Sequence, residues 1–257
     1  MAHNRYAHTV TLGDREIKRI GLGTNRLTDT EANRSFLEEA VDAGLNFIDT
    51  AHVYTDGESE KTIGATLAPF PDDLVVAAKA GYRSTPLSEL RSQIEQSFER
   101  LRTDRITLYY LHRVRPEIPI EESVGLLKEF VDAGRIAHIG LSEVSVEQIT
   151  QAQAVAPIAA VQNEFNIAER RWDSVIDRCE AEGIVFVPFF PLYGDSAAVG
   201  EVAERHGATA NQVRLAWLLA RSPTVAPIPG TLSIDHLREN LAALDLELSA
   251  EDLEALR

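Results

Sequence analysis

The stretch Asn46-Phe47-Ile48-Asp49-Thr50-Ala51-His52-Val53-Tyr54 decides how this chain is read. An apolar, strand-like run ends on a carboxylate, and a phenol follows in the next loop. Two further runs end in the same manner. Leu74-Val75-Val76-Ala77-Ala78 runs into Lys79, and Ile106-Thr107-Leu108-Tyr109-Tyr110-Leu111 runs into His112. Parallel strands would bring these ends to one mouth, where a (β/α)8 barrel keeps its chemistry. A phenol beside a lysine and a carboxylate makes a general acid, because the charges can draw the phenol toward working pH.

Outward from this stretch, strand and helix signals alternate to the end of the chain. Thr9–Leu12, Gly13-Asp14 and Arg15–Ile17 read as a small hairpin. Ile20–Gly23 is a short strand, and Thr30 caps a helix that Gly44 ends. Strand 46–48 precedes helix 59–67, strand 74–78 a helix opening at Pro86, and strand 106–111 helix 121–133. Strands 137–140, 159–162 and 184–189 precede helices 146–154, 171–182 and 210–220, with an extra helix at 197–206. Strand 225–228 precedes helix 234–241, and a last helix spans 250–256.

These are eight β–α units, so the expected fold is α/β: a (β/α)8 TIM barrel with an N-terminal β-hairpin and extra helices near residues 197–206 and 250–256. A doubly wound sheet is the rival. It wants Gly-x-Gly-x-x-Gly after the first strand, and Gly21-Leu22-Gly23-Thr24-Asn25-Arg26 lacks the third glycine.

The length of 257 residues matches the ~250 of one such barrel, and no linker divides it, so residues 1–257 are read as a single domain. No apolar run reaches the ~18 residues of a membrane span. Met1 to Arg19 carry no apolar core of a secretion signal, which makes the cytoplasm the expected location. The single Cys179 excludes an internal disulfide and reads as a half-buried apolar residue. Net charge is −15, from 40 acidic and 25 basic residues, which argues against nucleic acid as a partner. Only Lys18, Lys61, Lys79 and Lys128 are lysines. An acid-rich, lysine-poor surface suits high salt, and a GC-rich genome explains the arginine bias equally well.

Phe47-Ile48-Asp49-Thr50-Ala51-x-x-Tyr54 followed by Gly57-x-Ser59-Glu60 resembles the signature of the aldo-keto reductase family. Lys79, His112, Gly140-Leu141-Ser142, Val161-Gln162-Asn163-Glu164, Phe190-Pro191-Leu192 and Ile228-Pro229-Gly230-Thr231 follow in the family's order. The resemblance covers nearly the whole chain. It implies metal-free reduction of an aldehyde or ketone with NADPH, or alternatively NADH, usually by a monomer. Tyr54 would donate the proton, Lys79 and Asp49 would lower its pKa, and His112 would polarise the carbonyl. Hydride transfer builds charge on oxygen, which such donors stabilise.

The resemblance also implies the cofactor contacts. Ser142 and Gln162 match the holders of the nicotinamide carboxamide. Glu143 stands where Asn is usual, and a carboxylate cannot donate to the carboxamide oxygen. Phe189 matches the aromatic under the nicotinamide ring, with Phe190, Pro191 and Leu192 beside it. Thr24 and Asn25 line the ribose side, and Gly23 and Asp49 are further cofactor contacts. At the eighth strand, where Ile228 is a further cofactor contact, Gly230 and His236 occupy the positions where relatives carry a phosphate-gripping Lys and Arg, while Thr231, Ser233 and the following helix start can bind phosphate through hydroxyl and N–H groups. Asn240 matches an adenine contact. Asp235 is the residue that would favour NADH.

Asn25, Tyr54, Tyr82, His112, Arg113 and Tyr193 are the expected pocket walls. Arg113 reads either as a solvated rim charge or as an attractor of phosphate or carboxylate. Short loops after His112 and Tyr193 imply an open site and a broad substrate range. Stretches 161–170 and 187–192 resemble bacterial pyridoxal reductase-like members, so pyridoxal is the substrate expectation. His52 and His138 read as structural. Two rivals remain: a cofactor-binding sensor or regulatory subunit with little turnover, and a Schiff-base lyase using Lys79, which borohydride trapping would reveal.

Overall fold

The computed structural model describes residues 7–82, 86–194 and 196–257. Residues 1–6 of the polar N-terminal stretch, and Asp195 in the loop after Tyr193, lie outside them. Strands β1 (Thr9–Leu12) and β2 (Arg15–Lys18) form the expected antiparallel hairpin. Seven strands then pair in parallel, in chain order: β3 (Leu22–Gly23), β4 (Phe47–Asp49), β5 (Val75–Ala80), β6 (Ile106–Leu111), β7 (Ile136–Ser142), β8 (Ile158–Gln162) and β9 (Val185–Phe186).

Alternation along these strands divides the core in two. Phe47, Val75, Ala77, Leu108, Tyr110, Ala160 and Val185 form one buried cluster. Their neighbours Ile48, Val76, Ala78, Tyr109, Leu111, Val161 and Phe186 join the second, against the helices. A parallel sheet covered on both faces requires this double burial, which is why its strands are apolar throughout. Leu12 and Ile17 of the hairpin belong to the inner cluster, so the hairpin covers one end of the sheet.

The helices are α1 (Glu31–Asp42), α2 (Glu58–Leu67), α3 (Leu87–Leu101), α4 (Ile120–Asp132), α5 (Val146–Gln153), α6 (Asp173–Glu182), α7 (Ala197–His206), α8 (Ala210–Arg221), α9 (Ile234–Ala242) and α10 (Ala250–Ala255). Thr30 caps α1 by accepting from Asn33 N–H, as its position implied. Ser145 and Gln148 form a capping box on α5, and Thr209 and Gln212 form another on α8. Helix α2 packs closely on α3, because Gly64 presents no side chain to the Arg100 carbonyl. Cys179 is fully buried rather than half-buried, and burial pushes its thiol up to about 12.

Several boundaries differ from the sequence reading. Asp49 and Lys79 end inside β4 and β5 rather than just past them. The strands read at 184–189 and 20–23 shrink to two residues each, and 225–228 forms no ladder strand. Proline is the reason, since Pro188, Pro227 and Pro229 have no N–H to donate. The segment is nonetheless bonded on both sides. Ala226 N–H donates to Phe186 O at 2.8 Å and Ile228 N–H to Pro188 O at 3.4 Å, while Gly21 N–H donates to Pro227 O at 2.9 Å and Gly23 N–H to Pro229 O at 3.3 Å. Ala226 and Ile228 enter the inner cluster.

Arg19 anchors this junction from below. Its buried guanidinium donates to Val225 O at 3.0 Å, Leu219 O at 2.8 Å, Ser222 O at 2.5 Å and Ala7 O at 3.2 Å. Burial lowers its pKa to about 10, which leaves it charged at neutral pH.

Candidate active site

Backbone bonds fix the loops that leave the strand ends. Thr50 N–H donates to Ala77 O, His52 N–H to Lys79 O, and His112 N–H to Ala80 O, each at 2.8 Å. They hold Asp49, Tyr54, Lys79 and His112 together on one end of the sheet. Thr24, Thr50 and Ser59 hydroxyls form a buried chain beneath them, at 2.9 Å and 2.8 Å. Tyr54 itself starts a 3₁₀ turn, Tyr54–Gly57, in which Thr55 and Asp56 take left-handed backbone conformations. Strained backbone of this kind gathers at functional loops.

Lys79 Nζ donates to Asp49 Oδ1 at 2.5 Å and to Thr50 O at 2.9 Å, with both side chains buried. Gln162 Nε2 donates to Asp49 Oδ2 at 2.8 Å. Lys79 Nζ lies 4.8 Å from the Tyr54 ring centre, over the face of the ring. The Tyr54 and His112 rings meet edge-on at 6.0 Å.

Burial is the largest influence on every charge in this cluster. It works to lower the Lys79 ammonium, but Asp49 and Tyr54 outweigh it and hold Lys79 above its ordinary value. It pushes the Asp49 carboxyl up, against Lys79 and Gln162, whose bonds favour the ionised form. For Tyr54 the net direction is up: burial raises the phenol, Asp49 adds to that, and Lys79 and Arg113 pull against it. This departs from the expected lowering, because the phenol is desolvated more than the lysine compensates. His112 is driven well below its ordinary value by burial, then by Lys79, Arg113 and Arg115, so its imidazole is neutral. Its Nδ1 has no partner among the described residues.

A cavity of about 650 Å³ opens over this cluster. It is lined on one side by Tyr54, Tyr82, His112 and Arg113, and on the other by Gly23, Thr24, Asn25, Ser142, Gln162, Phe189 and Gly230. Phe190, Pro191, Leu192, Tyr193 and Ile228 also line it. Tyr82, Phe190 and Tyr193 are exposed aromatics at its rim.

The remaining expected cofactor residues stand outside this lining. Glu143, in a left-handed conformation, turns its carboxylate to Glu164 N–H at 2.7 Å and Arg171 at 3.3 Å, so it is not aimed at a carboxamide. Ser233 caps α9 by accepting from His236 N–H, and Thr231 accepts from Ser233 N–H at 3.1 Å. His236 is exposed and Asn240 buried on the same helix. His52 bonds Gln96 at 3.1 Å and His138 bonds Asp14 at 2.6 Å, both away from the cavity just described.

The family model described as the aldo/keto reductase family matches residues 19–197 and 195–257. The chain belongs to that family. It is 37% identical over 278 residues to pyridoxine 4-dehydrogenase of Escherichia coli, covering 97% of each chain. It resembles a thermostable aldo-keto reductase solved with the inhibitor epalrestat, at 33% identity and a TM-score of 0.90, over 96% of this chain and 98% of that one. An aldo-keto reductase from Klebsiella pneumoniae, solved with NADPH, matches at 30% identity and a TM-score of 0.86, over 96% and 93%.

Two charged residues of this aldo/keto reductase had no role assigned to them from the sequence. Arg26 lines the cavity, and its Nη2 donates to Gly230 O at 3.0 Å. Its place directly after Gly23-Thr24-Asn25 was the available signal. Glu60 is fully buried below the cluster, 3.3 Å from Arg100, and burial pushes it up to about 7. Its place in the Gly57-x-Ser59-Glu60 stretch was the available signal, but its burial could not be read from it.

Proposed function

We propose that this protein reduces a small aldehyde or ketone to the alcohol, using NADPH and the proton of Tyr54. The observation that carries this is the cavity on which Asp49, Tyr54 and a neutral His112 converge, with the buried Lys79 paired to Asp49 behind it. NADPH, when bound, supplies the hydride. Desolvation keeps the Tyr54 phenol protonated at neutral pH, so the donor is loaded before the reaction. As charge builds on the carbonyl oxygen, Tyr54 gives up its proton, and the Lys79 ammonium stabilises the phenolate left behind. His112, being neutral, orients and polarises the carbonyl from the other wall without competing for the proton.

The residues present fit this cofactor. Gln162 spends its Nε2 on Asp49, which leaves its Oε1 to accept from a carboxamide NH2, beside the Ser142 hydroxyl. Phe189 offers a flat face for the nicotinamide. Gly23 and Gly230 bring two loops close together: a Cβ at Gly230 would stand 3.4 Å from Gly23 O. Thr231, Ser233, His236 and the N-terminus of α9 are suited to an adenosine 2′-phosphate, and Asn240 to the adenine. Asp235, the group that would favour NADH, is exposed and 3.8 Å from Arg238. We read residues 1–257 as one eight-unit barrel domain closed by segment 225–228, acting as a cytoplasmic monomer. Pyridoxal leads the substrate choices, supported by the name of the Escherichia coli relative.

The test is loss of NADPH absorbance with a reactive aromatic aldehyde. Wild type should turn over, and Tyr54→Phe should lose on the order of 10²–10⁴ in rate while still binding NADPH. Equal inactivity with intact NADPH binding would favour a sensor instead. A strong NADH preference would overturn the cofactor assignment.

A further inference from the structure

Arg113 is the least explained charge in the cavity. Its Nη1 donates to His112 O at 3.0 Å and to Ser142 Oγ at 3.1 Å. These two bonds fix the guanidinium in place. The Tyr82 ring lies 5.4 Å from it and the Phe189 ring 5.9 Å, so it is held between two aromatic faces. Such a cation is oriented and partly desolvated, unlike a rim charge free in water. Yet among the described residues no carboxylate pairs with it and neither Nε nor Nη2 has an acceptor. The other arginine of the lining, Arg26, also bonds only a carbonyl among the described residues. In a protein of net charge −15, this cavity has been kept cationic.

We propose that Arg113 selects carbonyl substrates bearing an anionic group, a carboxylate or a phosphate, close to the carbonyl. This rests on the reductase reading and names its substrate class. Arg113 directly follows His112 in the chain, so a substrate whose carbonyl lies against Tyr54 and His112 brings its near substituents within reach of Nε and Nη2. A planar guanidinium with two free edges matches a carboxylate or phosphate in a forked pair. The solvated-rim reading of Arg113 is set aside by its two bonds and two ring contacts.

The experiment compares matched aldehydes for wild type, Arg113→Gln and Arg113→Lys. 4-Carboxybenzaldehyde is set against its uncharged methyl ester, and glyceraldehyde 3-phosphate against glyceraldehyde. Wild type should prefer at least one anionic member by about 10- to 100-fold in kcat/KM, carried mainly by KM. Which pair shows it assigns carboxylate or phosphate. Arg113→Gln should bring that ratio near one, and Arg113→Lys should restore part of it.

Two controls separate the possible failures. NADPH affinity is read by fluorescence titration, and benzoate and inorganic phosphate binding to the NADPH-loaded protein by calorimetry. No anionic preference in wild type, or an equal loss on charged and neutral aldehydes in Arg113→Gln, overturns the proposal. Weakened NADPH binding with an unchanged ratio overturns it in favour of a cofactor contact. Arg113-dependent anion binding with no aldehyde turned over would sustain the anion site and defeat the reductase reading instead.

Discussion

Replacing Glu60 by glutamine should change how stability depends on pH. Glu60 is fully buried, Arg100 reaches one of its oxygens at 3.3 Å, and the other oxygen has no partner among the described residues. Burial raises it from 4.5 to about 7, against Ser97 and Arg100. The folded state therefore keeps a proton that the unfolded chain releases between pH ~4.5 and ~7. The group's contribution to stability is complete below the unfolded pKa and is lost as pH rises through the folded one. Integrated from pH 5 to pH 8, that loss is about 2.5 kcal/mol. Glu60→Gln removes the titration and keeps the shape. Urea unfolding followed by the fluorescence of Trp172 and Trp217 would measure both proteins at the two pH values. Other groups titrate alike in both and cancel in the difference. The variant should gain about 2 to 3 kcal/mol on wild type between pH 5 and pH 8. Parallel curves would refute the reasoning, because they would mean Glu60 is solvated or fully neutralised by Arg100.

Two further substitutions probe packing and charge. Lys79→Met leaves the buried Asp49 carboxylate without its cation and should cost about 3 to 5 kcal/mol at pH 8. The cost should shrink toward acid as Asp49 takes up a proton, and a loss independent of pH would count against the ion pair. Gly64→Ala puts a methyl against the Arg100 carbonyl, a backbone atom unable to step aside, and should cost about 1 to 3 kcal/mol in urea unfolding. An unchanged midpoint would show that α2 and α3 have room to separate.

Strands with side chains buried on both faces were legible because each is a short apolar run bounded by turn residues. The runs ending at Asp49, Lys79 and His112 are the clear cases. The run 106–111 was read to the residue, while the ends of the other two fell a residue or two short, since backbone pairing continues through Asp49 and through Lys79 to Ala80. Segment 225–228 reads as a strand from its apolar residues alone. Its prolines remove the donors that a ladder needs, and only backbone bonding showed how it is held. The cluster of four site residues could be read from spacing. The direction of the Tyr54 shift could not, because it is set by how much water burial removes. Nor could the diversion of Glu143 to Arg171 or the seating of Arg113, which depend on partners far away in the chain.

The Arg19 guanidinium joins parts of the chain that are synthesised far apart. Its acceptors at Leu219, Ser222 and Val225 lie 200, 203 and 206 residues downstream. At ~5–20 residues per second, a ribosome takes roughly 10 to 40 s to make them after Arg19 itself. Throughout that interval the hairpin and first strand have no neighbour on their far side. The nascent protein therefore carries an open sheet edge until synthesis is nearly complete. That edge, rather than any weakness of the finished molecule, is where a co-translational chaperone would find something to hold.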